Sequence, residues 1–373
     1  MPILDQDEFG RLNASAVRVA LEPAHSAIES LFLLARSDDL PGLPDWVAQT
    51  LSRMTEAERQ TNALVMFGMH YLVAPQQSWG SFPAYIDHLA RIQPETLRDR
   101  MLEMYDVPVR EEYRHEALDQ QSALQSAENY VRYLQQRFEP EHMDEEIEAR
   151  VYPYLMDPPA MQSMVVEHLW NMWRKYLKEE WERNRPLLMT VVQAHNNVDF
   201  QQMTRNEAAL YITGQEQLPE KLCAIIEKNE RVVFVPHMHV GPYLRKGFMR
   251  DPGGEKTMVV FYGARMPKGL ADEVPALSRA EIVIRLGALA DDNRLRLLKI
   301  IADTGEMRSS EIITALDLSQ SAASRHLTQL TATGYLKERR CDGAKCYALN
   351  PERIADTLRA VEHFLHIQER SLI

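Results

Sequence analysis

Five hydrogen-bonding side chains, Gln320, Ser321, Ser324, Arg325 and Thr328, are spaced so that a helix carries them on one face. Ala323, Leu327 and Leu330 fall at i, i+4 and i+7 on the opposite face, the pattern of a helix buried on one side. Ser319 stands where it can cap that helix. Small residues near a helix N-terminus allow close approach to a groove, and a guanidinium such as that of Arg325 can make a bidentate contact to a guanine edge. Four cations follow, Lys337, Arg339, Arg340 and Lys345, on a segment from Gly334 to Leu349 that reads as a β-hairpin turning at Asp342-Gly343. Cations on such a hairpin suit phosphate oxygens. The chemistry expected of these nine residues is the reading and holding of double-stranded DNA.

Other reactive groups compete with this reading. Cys341 and Cys346 would face each other across the hairpin if Gly343-Ala344 formed its loop, and a disulfide there could act as a redox switch. With Asp342-Gly343 as the loop they fall out of register, and Cys346 reads as an ordinary buried cysteine. His237 and His239 alternate with Met238 and Val240 and could share a pocket, although polar histidines at a sheet edge fit better. Trp170, Trp173, Trp181 and Tyr176 load one helix with aromatics that read as core. No phosphate-binding loop, HExxH or GxSxG occurs in residues 1–277, so no catalytic residue, cofactor or metal is expected.

These residues need elements to position them. Apolar periodicity marks helices at 46–51, 56–73, 82–92, 95–104, 116–137, 160–183 and 186–193, punctuated by prolines that include Pro153. Ala16–Leu21, Arg231–Val235 and Thr257–Tyr262 read as strands of one small sheet. Residues 266–275 are polar and turn-rich and read as a linker. Beyond it, Ile282, Leu286 and Leu289, then Leu295, Leu298 and Ile301, then Ile312 and Leu316, are expected as the inward faces of three helices. The division expected is a mostly helical, sensing or interacting domain at 1–270 and a winged helix-turn-helix with a terminal helix at 278–373, an α+β protein. Its net charge of -12 excludes a general nucleic-acid coat. Residues 278–350 hold 11 Lys/Arg against 9 Asp/Glu, so the acidity lies in the N-terminal region. Three cysteines, no 18-residue apolar run and an acidic N-terminus lead to the expectation of a cytoplasmic protein without a membrane partner or leader.

Residues 286–298 (LGALADDNRLRLL) and 318–330 (LSQSAASRHLTQL), with Gly334-Tyr-Leu opening the hairpin, resemble the ArsR-type regulators. The resemblance covers about a quarter of the chain. It implies a homodimer on operator DNA, a repressor that lets go when an effector binds, and no enzymatic activity. A small-molecule effector is then expected in the N-terminal region. Ile354, Leu358, Val361 and Leu365 form an apolar stripe that could support the dimer. The thiolate pair of the family's metal sensors has no counterpart in Ser309–Leu316. The family's terminal-helix zinc pattern falls on Asn350, Glu352, His363 and His366, with two of four ligands altered. The alternatives are an N-terminal enzyme with a regulatory DNA-binding tail, and a winged helix that assembles proteins.

Overall fold

Helices begin where the sequence supplies a cap. Thr55 and Glu58 form a reciprocal capping box at the start of the helix Glu56–Ala63, as Thr204 and Glu207 do for Arg205–Thr213, while Ser81, Asp144 and Asp157 each accept a backbone N–H from the first turn of the helices Phe82–Arg91, Glu145–Met156 and Pro158–Met172. A computed structural model describes residues 17–139, 143–250, 254–267, 277, 279–341 and 343–365. Most of the linker at 266–275, together with Asp342 and His366, lies outside those residues. By internal contacts the chain forms two compact units.

The helical unit comprises residues 22–38 and 45–184. It contains α1 (Pro23–Ala35), α2 (Asp45–Arg53), α3 (Glu56–Ala63), α4 (His70–Val73), α5 (Phe82–Arg91) and α6 (Pro94–Tyr105). Then come α7 (Gln120–Ala123), α8 (Ala127–Gln135), α9 (Glu145–Met156), α10 (Pro158–Met172) and the start of α11 (Lys178–Asn196). Leu31, Met66, Phe82, Ile86, Tyr130 and Tyr133 are fully buried in its core. Three expectations change here. The helix read at 116–137 is broken, because Ser126 accepts the Asn129 N–H and starts a new one. Pro153 lies inside α9 near its end, where its missing N–H costs the helix only the bond to the carbonyl four residues earlier. Pro186 also lies inside a helix, so 178–196 is one element and not two.

The mixed unit comprises the first 21 residues, 39–44 and 185–373. Its four-stranded sheet has the order β1-β2-β4-β3, with β1 (Val17–Val19), β2 (Arg231–His237), β3 (Arg245–Arg250) and β4 (Lys256–Gly263). The first three in that order run parallel, and β3 is antiparallel to β4. β3 was not legible as a strand, since an edge strand of sequence Arg-Lys-Gly-Phe-Met-Arg shows charge where a central strand shows valine. Val232, Phe234, Met258, Val260 and Tyr262 pack one sheet face against α12 (Arg205–Thr213) and α13 (Glu220–Lys228).

The same unit holds α14 (Arg279–Leu289), α15 (Asp292–Thr304), β5 (Met307–Arg308), α16 (Ser309–Leu316), α17 (Gln320–Ala332), β6 (Leu336–Cys341), β7 (Ala344–Leu349) and α18 (Pro351–Phe364). Their core gathers Leu297, Leu298, Ile301, Ile312, Leu327 and Leu330. Contacts thus group residues 185–265 with the C-terminal module, whereas the sequence divided the chain at 270–278. The segment 39–44 joins them: Gly42, at φ +82°, lies so near Gln329 that a Cβ there would stand 2.6 Å from its Nε2.

Candidate nucleic-acid interface

α15 is set by Asp291, whose carboxylate accepts the Arg294 N–H at 2.9 Å. The Arg294 side chain in turn donates to the Ala288 and Gly287 carbonyls at 2.6 and 2.8 Å, closing the end of α14 onto α15. α16 ends at Asp317, the single non-glycine residue with positive φ (51°) among the described residues, a conformation that aspartate tolerates better than most. That turn redirects the chain into α17. Ser319 caps it as the sequence predicted, its Oγ accepting the Ala322 N–H at 3.2 Å.

Ala323, Leu327 and Leu330 of α17 are buried. Gln320, Ser321, Ser324, Arg325 and Thr328 are all exposed on the other side. Gln329, which the sequence did not single out, is 2% exposed and holds the inner side of the helix. The wing pairs β6 with β7 so that Cys341 faces Ala344 and Arg339 faces Cys346. Lys337, Arg339, Arg340 and Lys345 are exposed on it. Two of these cations carry a partner: Arg339 is held by both Glu306 carboxylate oxygens, and Lys345 Nζ stands 3.0 Å from Glu338 Oε1. Arg325, Lys337 and Arg340 have no ion pair among the described residues.

The wing register places Cys341 and Cys346 diagonally on one face, not opposite each other. Their sulfurs and a Glu306 carboxylate oxygen lie within 4.8 Å of one another, a group of three possible metal ligands that the sequence did not suggest because Glu306 is 35 residues upstream. The Cys346 thiol, followed by burial, pushes the Cys341 thiol up to about 11. At pH 8 Cys341 should therefore alkylate about tenfold more slowly than an ordinary exposed thiol, and Cys346→Ala should restore the rate. Mass-spectrometric labelling would measure both; a fast wild-type Cys341 would contradict the register.

The other sequence candidates are structural in their surroundings. His237 and His239 are 3% and 6% exposed, and His237 Nδ1 accepts the His239 N–H at 3.0 Å, so this nitrogen is a filled acceptor. Trp173 packs edge-on against Phe82, and Arg174 covers Trp170. Asn350 is buried and donates to Glu216 and to the Gly334 carbonyl at 2.8 and 3.0 Å, while Glu352 and His363 are exposed. Two helix faces differ from expectation: Leu286 and Leu295 are 37% and 52% exposed, Ala288 is buried on the first helix, and on the second Leu297, expected at the margin of the apolar stripe, is fully buried.

A capped helix with a polar exposed face, set by a tight turn and followed by a basic two-stranded wing, defines a winged helix-turn-helix. Residues 291–338 match the arsR family of bacterial regulatory proteins, and this segment is an ArsR-family helix-turn-helix domain. The arsenic resistance transcriptional regulator ArsR1 of Pseudomonas putida is 47% identical over 17% of this chain and 50% of its own length. The arsenical resistance operon repressor of Escherichia coli is 38% identical over 17% of this chain and 54% of its own. The chain spans about half the length of these curated relatives. The solved AntR antimony-specific transcriptional repressor is 27% identical, with 29% of this chain and 96% of that one covered at a TM-score of 0.19. No helix among the described residues is long and apolar enough to cross a membrane.

Proposed function

We propose that this chain is a DNA-binding transcriptional repressor of the ArsR type. The observation that carries the reading is the exposure of all nine candidate contacts, five along α17 and four on the wing, on an ArsR-family domain. Gln320, Ser321, Ser324, Arg325 and Thr328 would meet base edges and nearby phosphates, and Lys337, Arg339, Arg340 and Lys345 the backbone. Repression follows from the printed roles of the relatives. Selecting duplexes from a random pool, then measuring their binding against salt, tests it. Recovery of a preferred sequence with a steep salt dependence is expected; no DNA binding at low salt would leave the protein-assembly reading in its place.

The repressor acts as a dimer in this reading. Val283 and Leu286 on α14, with Leu358 on α18 and Leu365 just past its end, are 51%, 37%, 50% and 53% exposed. An apolar surface on two helices that pack together is what a second copy would cover, and a two-fold pair suits a palindromic operator. Leu358→Glu should convert the protein to a monomer in light scattering and weaken operator binding about tenfold or more. A variant that stays dimeric would remove α18 from the interface. In this reading the effector enters the groove of about 710 Å³ beside the wing, where Gln217, Leu218 and Tyr243 of the N-terminal region face Leu336 of the winged helix-turn-helix.

A further inference from the structure

One buried cation has no hydrogen-bonded partner. Arg285, on α14, is 5% exposed, and its side chain makes no hydrogen bond or ion pair among the described residues. Burial, then the neighbouring charge of Arg353, brings its pKa down to about 10. A largely buried guanidinium without a hydrogen-bonded partner is costly, and an anion that joins it offsets that cost.

Arg285 lines a cavity of about 60 Å³ together with Arg265, Arg353 and Glu281. Arg265 Nη1 donates to the Thr213 carbonyl at 3.2 Å, and Arg353 Nε donates to the Thr333 carbonyl at 3.2 Å. Their carboxylate neighbours stand off: Arg265 is 3.8 Å from Glu281, and Arg353 is 3.8 Å from Glu216. Such separations are too long for hydrogen bonds, so Arg265 and Arg353 meet these two carboxylates only at ion-pair distance. Gly214, at φ +60°, makes room for this, because a Cβ there would lie 1.8 Å from Arg265 Nη1. The small cavity shares Gln215, Pro242, Leu244, Ala332 and Arg353 with the 710 Å³ groove.

We propose that Arg285, Arg265 and Arg353 bind an oxyanion group, the phosphate or carboxylate of a small ligand whose body lies in the adjoining groove. The inference rests on the effector reading given above and names the chemistry of its ligand. The three arginines come from the end of β4, from α14 and from α18, and Thr333 follows α17 directly. A bound oxyanion would therefore tie the sheet to the helices that carry the DNA face and the dimer face. Occupancy then becomes a signal the head can feel.

The test measures thermal unfolding of the full chain in phosphate, acetate and chloride at matched ionic strength, with calorimetric titration of the anion that acts. A saturable rise in Tm with phosphate or acetate, absent in chloride, is expected. Whichever arm responds identifies the oxyanion. Arg285→Gln should weaken that anion about tenfold or more, and without anion should melt no lower than wild type because it deletes a buried charge that has no hydrogen-bonded partner. Arg265→Gln, at a less buried position, should weaken it similarly and decides the matter if Arg285→Gln does not fold. Equal Tm in all three salts, or both variants keeping wild-type affinity, overturns the proposal. Selected-duplex binding by the wild type is scored separately, so loss of the anion site and loss of the repressor reading are distinguishable.

Discussion

An Arg325→Ala protein will hold the duplex selected by the wild type about 10- to 100-fold more weakly, about 1–3 kcal/mol, while binding to random duplex falls much less. The expectation comes from comparing the cations around the interface. Arg339 and Lys345 are engaged by Glu306 and Glu338, so part of their charge is already satisfied within the protein. Arg325 sits exposed on the polar face of α17 with no such partner among the described residues. Its guanidinium is free to present two parallel donors to a base edge, and nothing else on that face can replace them. The salt slope separates this role from a phosphate contact. A pure phosphate contact would lower affinity on every sequence alike and reduce the slope by roughly 0.9. Competition binding at several salt concentrations measures both quantities, and equal losses on selected and random duplex would assign Arg325 to the backbone.

The second large effect lies in the helical unit. Glu148 is 7% exposed on α9, with Tyr130 Oη 3.2 Å from its Oε2. Burial raises its carboxyl to about 8, against the opposing hydrogen bond of Tyr130 and with a small added push from Asp144. The folded unit thus keeps a proton that the unfolded chain releases near pH 4.5. Stability contributed by this group is complete below pH 4.5, declines as pH rises, and is lost above about 8. Glu148→Gln keeps the shape without the titration. It should be more stable than wild type at pH 9 by about 2–4 kcal/mol, with the advantage vanishing near pH 5. Denaturant unfolding followed by tyrosine and tryptophan fluorescence at the two pH values checks this. A variant less stable at pH 9 would mean that Glu148 is held as a charged group.

The recognition helix was legible because local rules and tertiary demands coincide there. Ser319 caps, Ala323, Leu327 and Leu330 are buried, and the polar residues between them face outward, all within one short stretch. Leu286 and Leu295 misled for a physical reason. Apolar spacing marks a face that must leave water, but does not say whether the chain itself covers it, and these two leucines stay exposed. β3 escaped because its edge position favours charge over alternation. The arginine cluster was beyond reach in a different way. Arg265, Arg285 and Arg353 are separated by 20 and 68 residues and share no motif, so only the fold brings them together. The two cysteines of the wing were a visible pair, yet Glu306, which joins them, belongs to the turn before β5.

Gly42 extends this point into genetics. The residue stands 287 positions before Gln329, yet a methyl group on it would force the amide end of that side chain to move, and its backbone angle disfavours any L side chain. If the chain represses as proposed, a selection for escape from repression should therefore recover alleles at codon 42 beside those in the helix-turn-helix itself. Such alleles would look like distant, unrelated lesions on a linear map. Double mutants with small residues at Gln329 should suppress them only in part, because the smaller side chain relieves the contact and leaves the backbone strain at position 42.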